Sequence, residues 1–157
     1  AGMKSLGIVL LALLLAGCDR TRETQLRLDA SRQLQRNIDT SPLRASCEHI
    51  ARGREWLTAR SVQQLEKHHC QNVLRSASET NFLNTAIYTQ TMPVVCGSIQ
   101  GRSFTGTTLT RRFIYSYDEK ALVIRPETEQ DKSRFEDRKA LEQLQNDFQN
   151  QWAKYCR

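Results

Sequence analysis

The 157-residue sequence predicts an α+β domain with N-terminal helices, a small antiparallel sheet and a long C-terminal amphipathic helix. Apolar residues recur at steps of three and four between residues 41 and 77, which is helical spacing. Residues 94–125 instead alternate with period two and are rich in threonine and aromatic side chains, which favours strands. The helical spacing returns after Pro126, and four cysteines spread over these elements indicate that disulfides brace the domain.

An apolar segment precedes this domain. Lys4 supplies a positive charge, and residues 6–16 (LGIVLLALLLA) are eleven uncharged residues. A membrane-spanning helix needs about 20 apolar residues, so the segment is typical of an export signal instead. It ends in Leu15-Ala16-Gly17-Cys18, which resembles the lipobox of bacterial lipoproteins.

The lipobox resemblance implies that residues 1–17 are a signal peptide cleaved before Cys18. It also implies a diacylglyceryl group on the Cys18 thiol and a fatty acid, such as palmitate, on the new amine. The protein would then be anchored in a bacterial membrane and face the periplasm. Asp19 resembles an inner-membrane retention signal of enteric bacteria, but the choice between inner and outer membrane stays open. The alternative is an ordinary secretory signal in which Cys18 is incidental.

The remaining 140 residues are enough for one domain, and they are basic because Lys4 is the only charge lost from a net +6. A basic envelope protein is attracted to anionic lipid head groups and acidic partners. Nucleic acid is excluded as a partner because export removes the domain from it. Residues 18–40 are dense in charge and predict a polar tether, which leaves residues 41–157 as the single folded domain.

Three helices are expected next. Ser41-Pro42 is an N-cap followed by proline at the first helical position. Ser61 and Gln64 form a capping-box pattern that predicts a second helix, with its apolar stripe continuing to Ala77. Residues 78–90 favour a third, shorter helix. The stripe of the first helix consists of Cys47, Ile50, Arg54 and Leu57.

Three strands and a final helix complete the fold. The strands are expected around residues 94–99, 109–117 and 121–125, as an antiparallel meander. The helix is marked by Leu141, Leu144, Phe148, Trp152 and Tyr155. We expect it to cover the sheet face that carries Phe113 and Tyr115.

Four cysteines in an exported domain usually form disulfides, and Cys47, Cys70, Cys96 and Cys156 allow three pairings. The helical stripes favour Cys47 with Cys70, between neighbouring helices, and Cys96 with Cys156, between the sheet and the last helix.

Other chemistry has weaker support. Cys47-x-His49 and His68-His69-Cys70 contain zinc-ligand types, but adjacent histidines on a helix point about 100° apart, and disulfides would consume the thiols. No metal and no cofactor are therefore expected. A Cys–His nucleophile would need a spare thiol, and acidic pairs such as Glu127 with Glu129, or Glu136 with Asp137, fall in charged surface sequence. We predict no catalytic residues and no enzymatic activity.

The most informative surface is the cationic segment that carries Arg102, Arg111 and Arg112. Consecutive strand residues point to opposite faces, and Arg111 shares its phase with Phe113. Arg112 and Arg102 are therefore the candidate partner-binding residues. The resulting hypothesis is a non-catalytic, lipid-anchored protein that recognises an envelope protein, as a secretion or conjugation accessory, an exclusion factor or an immunity-type lipoprotein. The alternative is a periplasmic enzyme or a lipid-handling carrier.

Overall fold

The computed structural model describes residues 22–53, 58–132 and 138–157. Within these ranges it contains four α-helices and one four-stranded antiparallel sheet, which confirms the predicted α+β class. The helices are α1 (22–39), α2 (Pro42–Arg52), α3 (Ala59–His69) and α4 (Leu141–Tyr155). The strands are β1 (Asn81–Tyr88), β2 (Val94–Arg102), β3 (Thr108–Ser116) and β4 (Ala121–Ile124).

The strands pair in chain order, β1-β2-β3-β4, with every neighbour antiparallel. Alternation gives the sheet two faces. The inner face carries Val95, Ile99, Phe113 and Tyr115, and the outer face carries Val94, Cys96 and Ile114. The central strands β2 and β3 pair without interruption from Val94↔Ser116 to Arg102↔Thr108.

The first strand corrects the sequence prediction, which placed a short helix in residues 78–90. Phe82 and Ile87 are five residues apart, so they would lie on opposite faces of a regular strand. A bulge between Leu83 and Ala86 adds one residue to β1, and both side chains therefore pack into the inner core. Because of the bulge, the apolar residues of this strand have a spacing that also fits a helix. Gly97 lies opposite it, where an added Cβ would stand 2.9 Å from the Thr85 Cα.

Residues 22–39 also correct a prediction, because they form a helix in the core instead of a polar tether. Leu26, Ala30, Leu34 and Ile38 are each at most 5% exposed and pack on the inner face. They recur every four residues, so one narrow stripe is apolar while the rest of the helix carries the charge. Ala30 belongs to this stripe, whereas Leu28 is 47% exposed and does not. The folded body therefore includes α1.

The C-terminal helix is confirmed, but its expected target is wrong. Phe148 packs with Val94, Cys96 and Ile114 on the outer face. The face with Phe113 and Tyr115 is already covered by α1. Residues 18–40 were expected to lie outside the core, so no other element was predicted to cover the inner face. The C-terminal helix was therefore expected there.

The first predicted helix begins as expected, with Pro42 in its first turn after Ser41; Arg54 and Leu57 of its stripe lie outside the described residues. The second begins earlier than predicted, because Thr58 is its N-cap and its side-chain oxygen accepts a hydrogen bond from the Ser61 amide at 3.2 Å. It ends at His69 and does not reach Ala77.

Both predicted disulfide pairings are confirmed by the geometry. Cys47 of α2 and Cys70 at the end of α3 have Cα atoms 5.8 Å apart. Cys96 of β2 and Cys156 after α4 have Cα atoms 6.1 Å apart. The first bridge joins two helices and the second joins a helix to a strand. Apart from the bridge, each pair of elements is held together by a small apolar cluster.

Candidate functional site

In the described part of the chain, the outer face of the sheet is covered over only half of its length. At the end near Val94 it lies under α4, where Val94, Cys96 and Ile114 are buried. Towards the other end, the outward-pointing residues of the central strands β2 and β3 are polar and exposed, except for the half-buried Ser98. We call this uncovered half the open face; it consists of Ser98, Gln100, Arg102, Thr108, Thr110 and Arg112.

Arg112 and Arg102 both belong to the open face. Arg112 pairs with Ser98, and Arg102 pairs with Thr108, four residues farther along β2. The rise of about 3.3 Å per residue places the two positions about 13 Å apart along the strands. The two arginines therefore present positive charge on one surface, and none of the six residues that define it is acidic.

Arg112 lies at the border between the covered and the open half. Its guanidinium carbon is 5.4 Å from the centroid of the Trp152 ring on α4. This cation–π contact is within the usual limit of about 6 Å, and it aligns the guanidinium against a half-buried ring. Arg112 was predicted from its strand phase, but its contact with Trp152 was not, because α4 was expected on the opposite face.

The charge of Arg102 is partly balanced by a neighbouring acid. The pKa of Glu79 is lowered by its hydrogen bond from Arg75, and the charges of Arg75 and Arg102 lower it further. Arg75 donates two hydrogen bonds of 2.8 Å to the Glu79 carboxylate. The described residues place no acid beside Arg112, so its positive charge is less balanced than that of Arg102.

Arg111 points the other way, as strand alternation requires. It is half-buried on the inner side, in phase with Leu109 and Phe113, and its Nη1 donates to the Thr110 carbonyl oxygen at 3.1 Å. The sequence prediction that Arg111 and Arg112 occupy different faces therefore agrees with the structure.

Several predicted features lie elsewhere or outside the described ranges. Cys18 and the apolar segment before it precede residue 22, and Glu136 and Asp137 fall in the undescribed interval 133–137. No helix in the described part of the chain is long and apolar enough to cross a bilayer. The disulfide cysteines act as braces; Cys96 lies on the covered half of the outer face, two residues before Ser98.

The residues considered for metal binding or catalysis have other surroundings. His68 and His69 are exposed and their rings are 6.5 Å apart, while Cys47 and Cys70 are joined in a disulfide. Within the described ranges, no cluster of three or more His, Cys, Asp or Glu side chains could hold a metal ion. Glu127 pairs with Arg125, and Glu129 pairs with Lys132.

Comparison with known proteins gives no assignment: no family model, curated protein or solved structure matches this chain.

Two features were missed by the sequence analysis. One is the Tyr115 hydroxyl, which is buried under α1 and has no hydrogen-bond partner among the described residues. The other is a cleft lined by Arg44, Arg111 and Arg125. The inward phase of Arg111, a charged residue in an otherwise apolar row, was a usable signal for this cleft. Arg44 and Arg125 come from elements whose packing the sequence pattern did not reveal.

Proposed function

We propose that the protein is a lipoprotein, anchored in a bacterial membrane through Cys18, whose domain recognises a protein partner in the periplasm without catalysing a reaction. The observation that carries the proposal is the open face, a polar and cationic half-sheet beside a fully packed half. Exposed strands of this kind offer side chains for contact while the packed half keeps them rigid. Positive charge favours an acidic partner, mainly through the association rate.

The lipid anchor and α1 together define where the domain works. Residue 22, where α1 is already helical, is only four positions after Cys18 in the chain. Four residues span at most about 14 Å, so the anchored domain stays beside the membrane surface. The partner is therefore a membrane protein, or a protein that reaches the membrane surface.

The four cavities that we compare, all lined by described residues, favour recognition over lipid carriage. Ligand pockets of carriers are mostly apolar and measure about 300–1,000 Å³. One cleft beside α1 has a volume of about 160 Å³ and another about 170 Å³. Two depressions of about 500 and 550 Å³ are lined mainly by polar side chains.

Site-specific photocrosslinking in living cells tests the recognition surface. A photoreactive amino acid at Thr110, at the centre of the open face, should crosslink one defined envelope protein, which mass spectrometry identifies. The same amino acid at Asn146, exposed on α4, is the matched control and should not capture that protein. Equal capture from both positions, or none from Thr110, would contradict recognition through the open face.

Mass spectrometry of the processed chain tests the anchor separately. We expect cleavage before Cys18 and an acyl mass on that residue, and Cys18→Ala should leave an unprocessed, non-lipidated precursor. Normal cleavage without acyl mass would reject the anchor and leave the open face to be judged on its own.

A further inference from the structure

Arg111 is unusual because it lies in the row of inward-facing residues on β3, between Leu109 and Phe113, which are 8% and 0% exposed. Charged groups on the covered side of a sheet are costly unless they are paired. The contact that the described residues give its guanidinium is the neighbouring Thr110 carbonyl oxygen. A half-buried cation to which the described residues give no carboxylate partner calls for another anion.

Arg111 lines a cleft of about 160 Å³ at the corner where the C-terminal end of α1, the start of α2 and the end of β4 meet. Arg44 of α2 and Arg125 after β4 line the same cleft. Their side chains are 22% and 30% exposed, so the three cations are partly withdrawn from solvent. Apolar side chains, including Leu43 and Ile124, complete the lining.

The two companion arginines are held in place by other contacts. Arg44 donates from Nε to the Arg75 carbonyl oxygen at 2.8 Å, and its Nη1 lies 3.7 Å from Glu48. Arg125 contacts Glu127 through Nη1. Each guanidinium carries five N–H donors, so most donors of the three arginines remain for water or a ligand.

One carboxylate, that of Asp131, also lines the cleft. Its Oδ2 accepts hydrogen bonds from the Glu127 and Thr128 amides, each at 2.9 Å, so it is committed to the local turn. Among the described residues that line the cleft, three arginines therefore face one carboxylate, which is already hydrogen-bonded. The first turn of α2 adds to this positive field, because it contains no acidic residue and Ser41 provides no side-chain cap.

We infer that this cleft binds a small anionic ligand, whose carboxylate or phosphate group contacts Arg111 with Arg44 and Arg125, and whose short apolar group rests on Leu43 and Ile124. Guanidinium groups bind both oxyanions through paired, charge-assisted hydrogen bonds. Arg111 and the neighbouring Arg112 point to opposite faces, so this site is separate from the open face and does not depend on the function proposed for it.

Calorimetric titration of the full chain in detergent tests the site. The probes are pentanoate and butyl phosphate, compared with inorganic phosphate and with sodium chloride at equal ionic strength. The variant is Arg111→Gln, and Arg112→Gln is the matched control from the same strand. Arg44→Gln serves as a second variant, and circular dichroism verifies that each variant is folded.

We expect at least one alkyl probe to bind saturably and more tightly than inorganic phosphate. Arg111→Gln should weaken that binding by about tenfold or more, as loss of a charge-assisted hydrogen bond does, while Arg112→Gln leaves it unchanged. If Arg111→Gln does not fold, the same loss is expected for Arg44→Gln. Preference for pentanoate identifies a carboxylate ligand, and preference for butyl phosphate identifies a phosphate ligand.

Nuclear magnetic resonance localises the effect. The amide resonances of Leu43 and Arg44 should shift on titration, while that of Thr110 on the open face should not. The inference is overturned if neither alkyl probe saturates, or if Arg111→Gln and Arg112→Gln weaken binding equally.

Discussion

The inner and outer faces of the sheet are built from the same four strands but are covered differently. On the inner face, α1 and the sheet bury a continuous cluster that includes Leu34, Ile99 and Phe113. On the outer face, α4 covers the end near Val94, and the open face beyond it stays exposed. The comparison separates two roles: the inner face mainly stabilises the domain, and the outer face combines a disulfide-braced half with a half available for recognition.

The largest expected effect comes from the bridge that holds α4 on the outer face. Replacing Cys96 and Cys156 together with alanine should lower the free energy of unfolding by about 4 kcal/mol in the chain-entropy model. Removing Cys47 and Cys70 should cost about 3 kcal/mol, because their separation is 23 residues instead of 60. Urea unfolding measures both. The reverse order would mean that strain or residual structure, rather than loop length, decides the contribution.

The next effect probes α1 on the inner face. Leu34→Ala should lower the free energy of unfolding by about 3 kcal/mol, because it empties a site that is 5% exposed. Leu28→Ala is the matched control: its side chain is 47% exposed on the same helix, and a change of less than about 0.5 kcal/mol is expected. Equal, small effects of the two substitutions would mean that residues 22–39 do not pack in the core and act as the predicted polar tether.

The sequence predicted the parts of the fold that rest on local patterns. Alternation located β2 to β4, and helical spacing located α4 and the start of α2. The disulfide pairing also followed, because Cys47 and Cys70 lie on neighbouring helices. These features depend on residues that are close in the chain, or on which face of a helix or strand a residue occupies.

The wrong predictions share a physical cause. Where the local pattern only weakly favours helix or strand, tertiary packing decides which structure the segment adopts and where it lies. The bulge in β1 gives its apolar residues a spacing that also fits a helix, and pairing with β2 stabilises the strand instead. The apolar stripe of α1 is too narrow to predict a buried helix from the sequence alone. The helix is buried because the sheet provides an apolar face for this stripe. Arg112 was identified by phase alone, whereas its contact with Trp152 required the correct placement of α4.

A smaller effect is expected from the buried hydroxyl on the inner face. Tyr115→Phe should raise the free energy of unfolding by about 1 kcal/mol at neutral pH, because the hydroxyl is buried and no group in residues 22–53, 58–132 or 138–157 forms a hydrogen bond with it. Burial, reinforced by the Asp29 carboxylate, raises the pKa of Tyr115 above its usual 10.0. The folded state therefore favours the protonated phenol, and stability is lost as pH rises above about 10.

Alkaline unfolding of the two proteins measures this effect. Tyr115→Phe should lose less stability above pH 10 than the parent protein. Tyr117→Phe is the control, because Tyr117 is half-buried beside Lys120 and should retain the alkaline loss. Destabilisation by Tyr115→Phe at neutral pH would show that the hydroxyl has a stabilising partner, such as a buried water.

The central claim is that the open face recognises an acidic envelope partner, and binding kinetics of Arg112→Glu with the crosslinked partner test it most directly. The substitution removes one cation–π contact, so the domain should lose less than about 1 kcal/mol of stability and stay folded. Association should slow by about tenfold at low ionic strength and less at high ionic strength, because salt screens the interaction. Lys154→Glu on α4, with the same change of charge, should have a much smaller effect. Unchanged association of a folded Arg112→Glu protein, or an equal loss in Lys154→Glu, would contradict recognition through the open face.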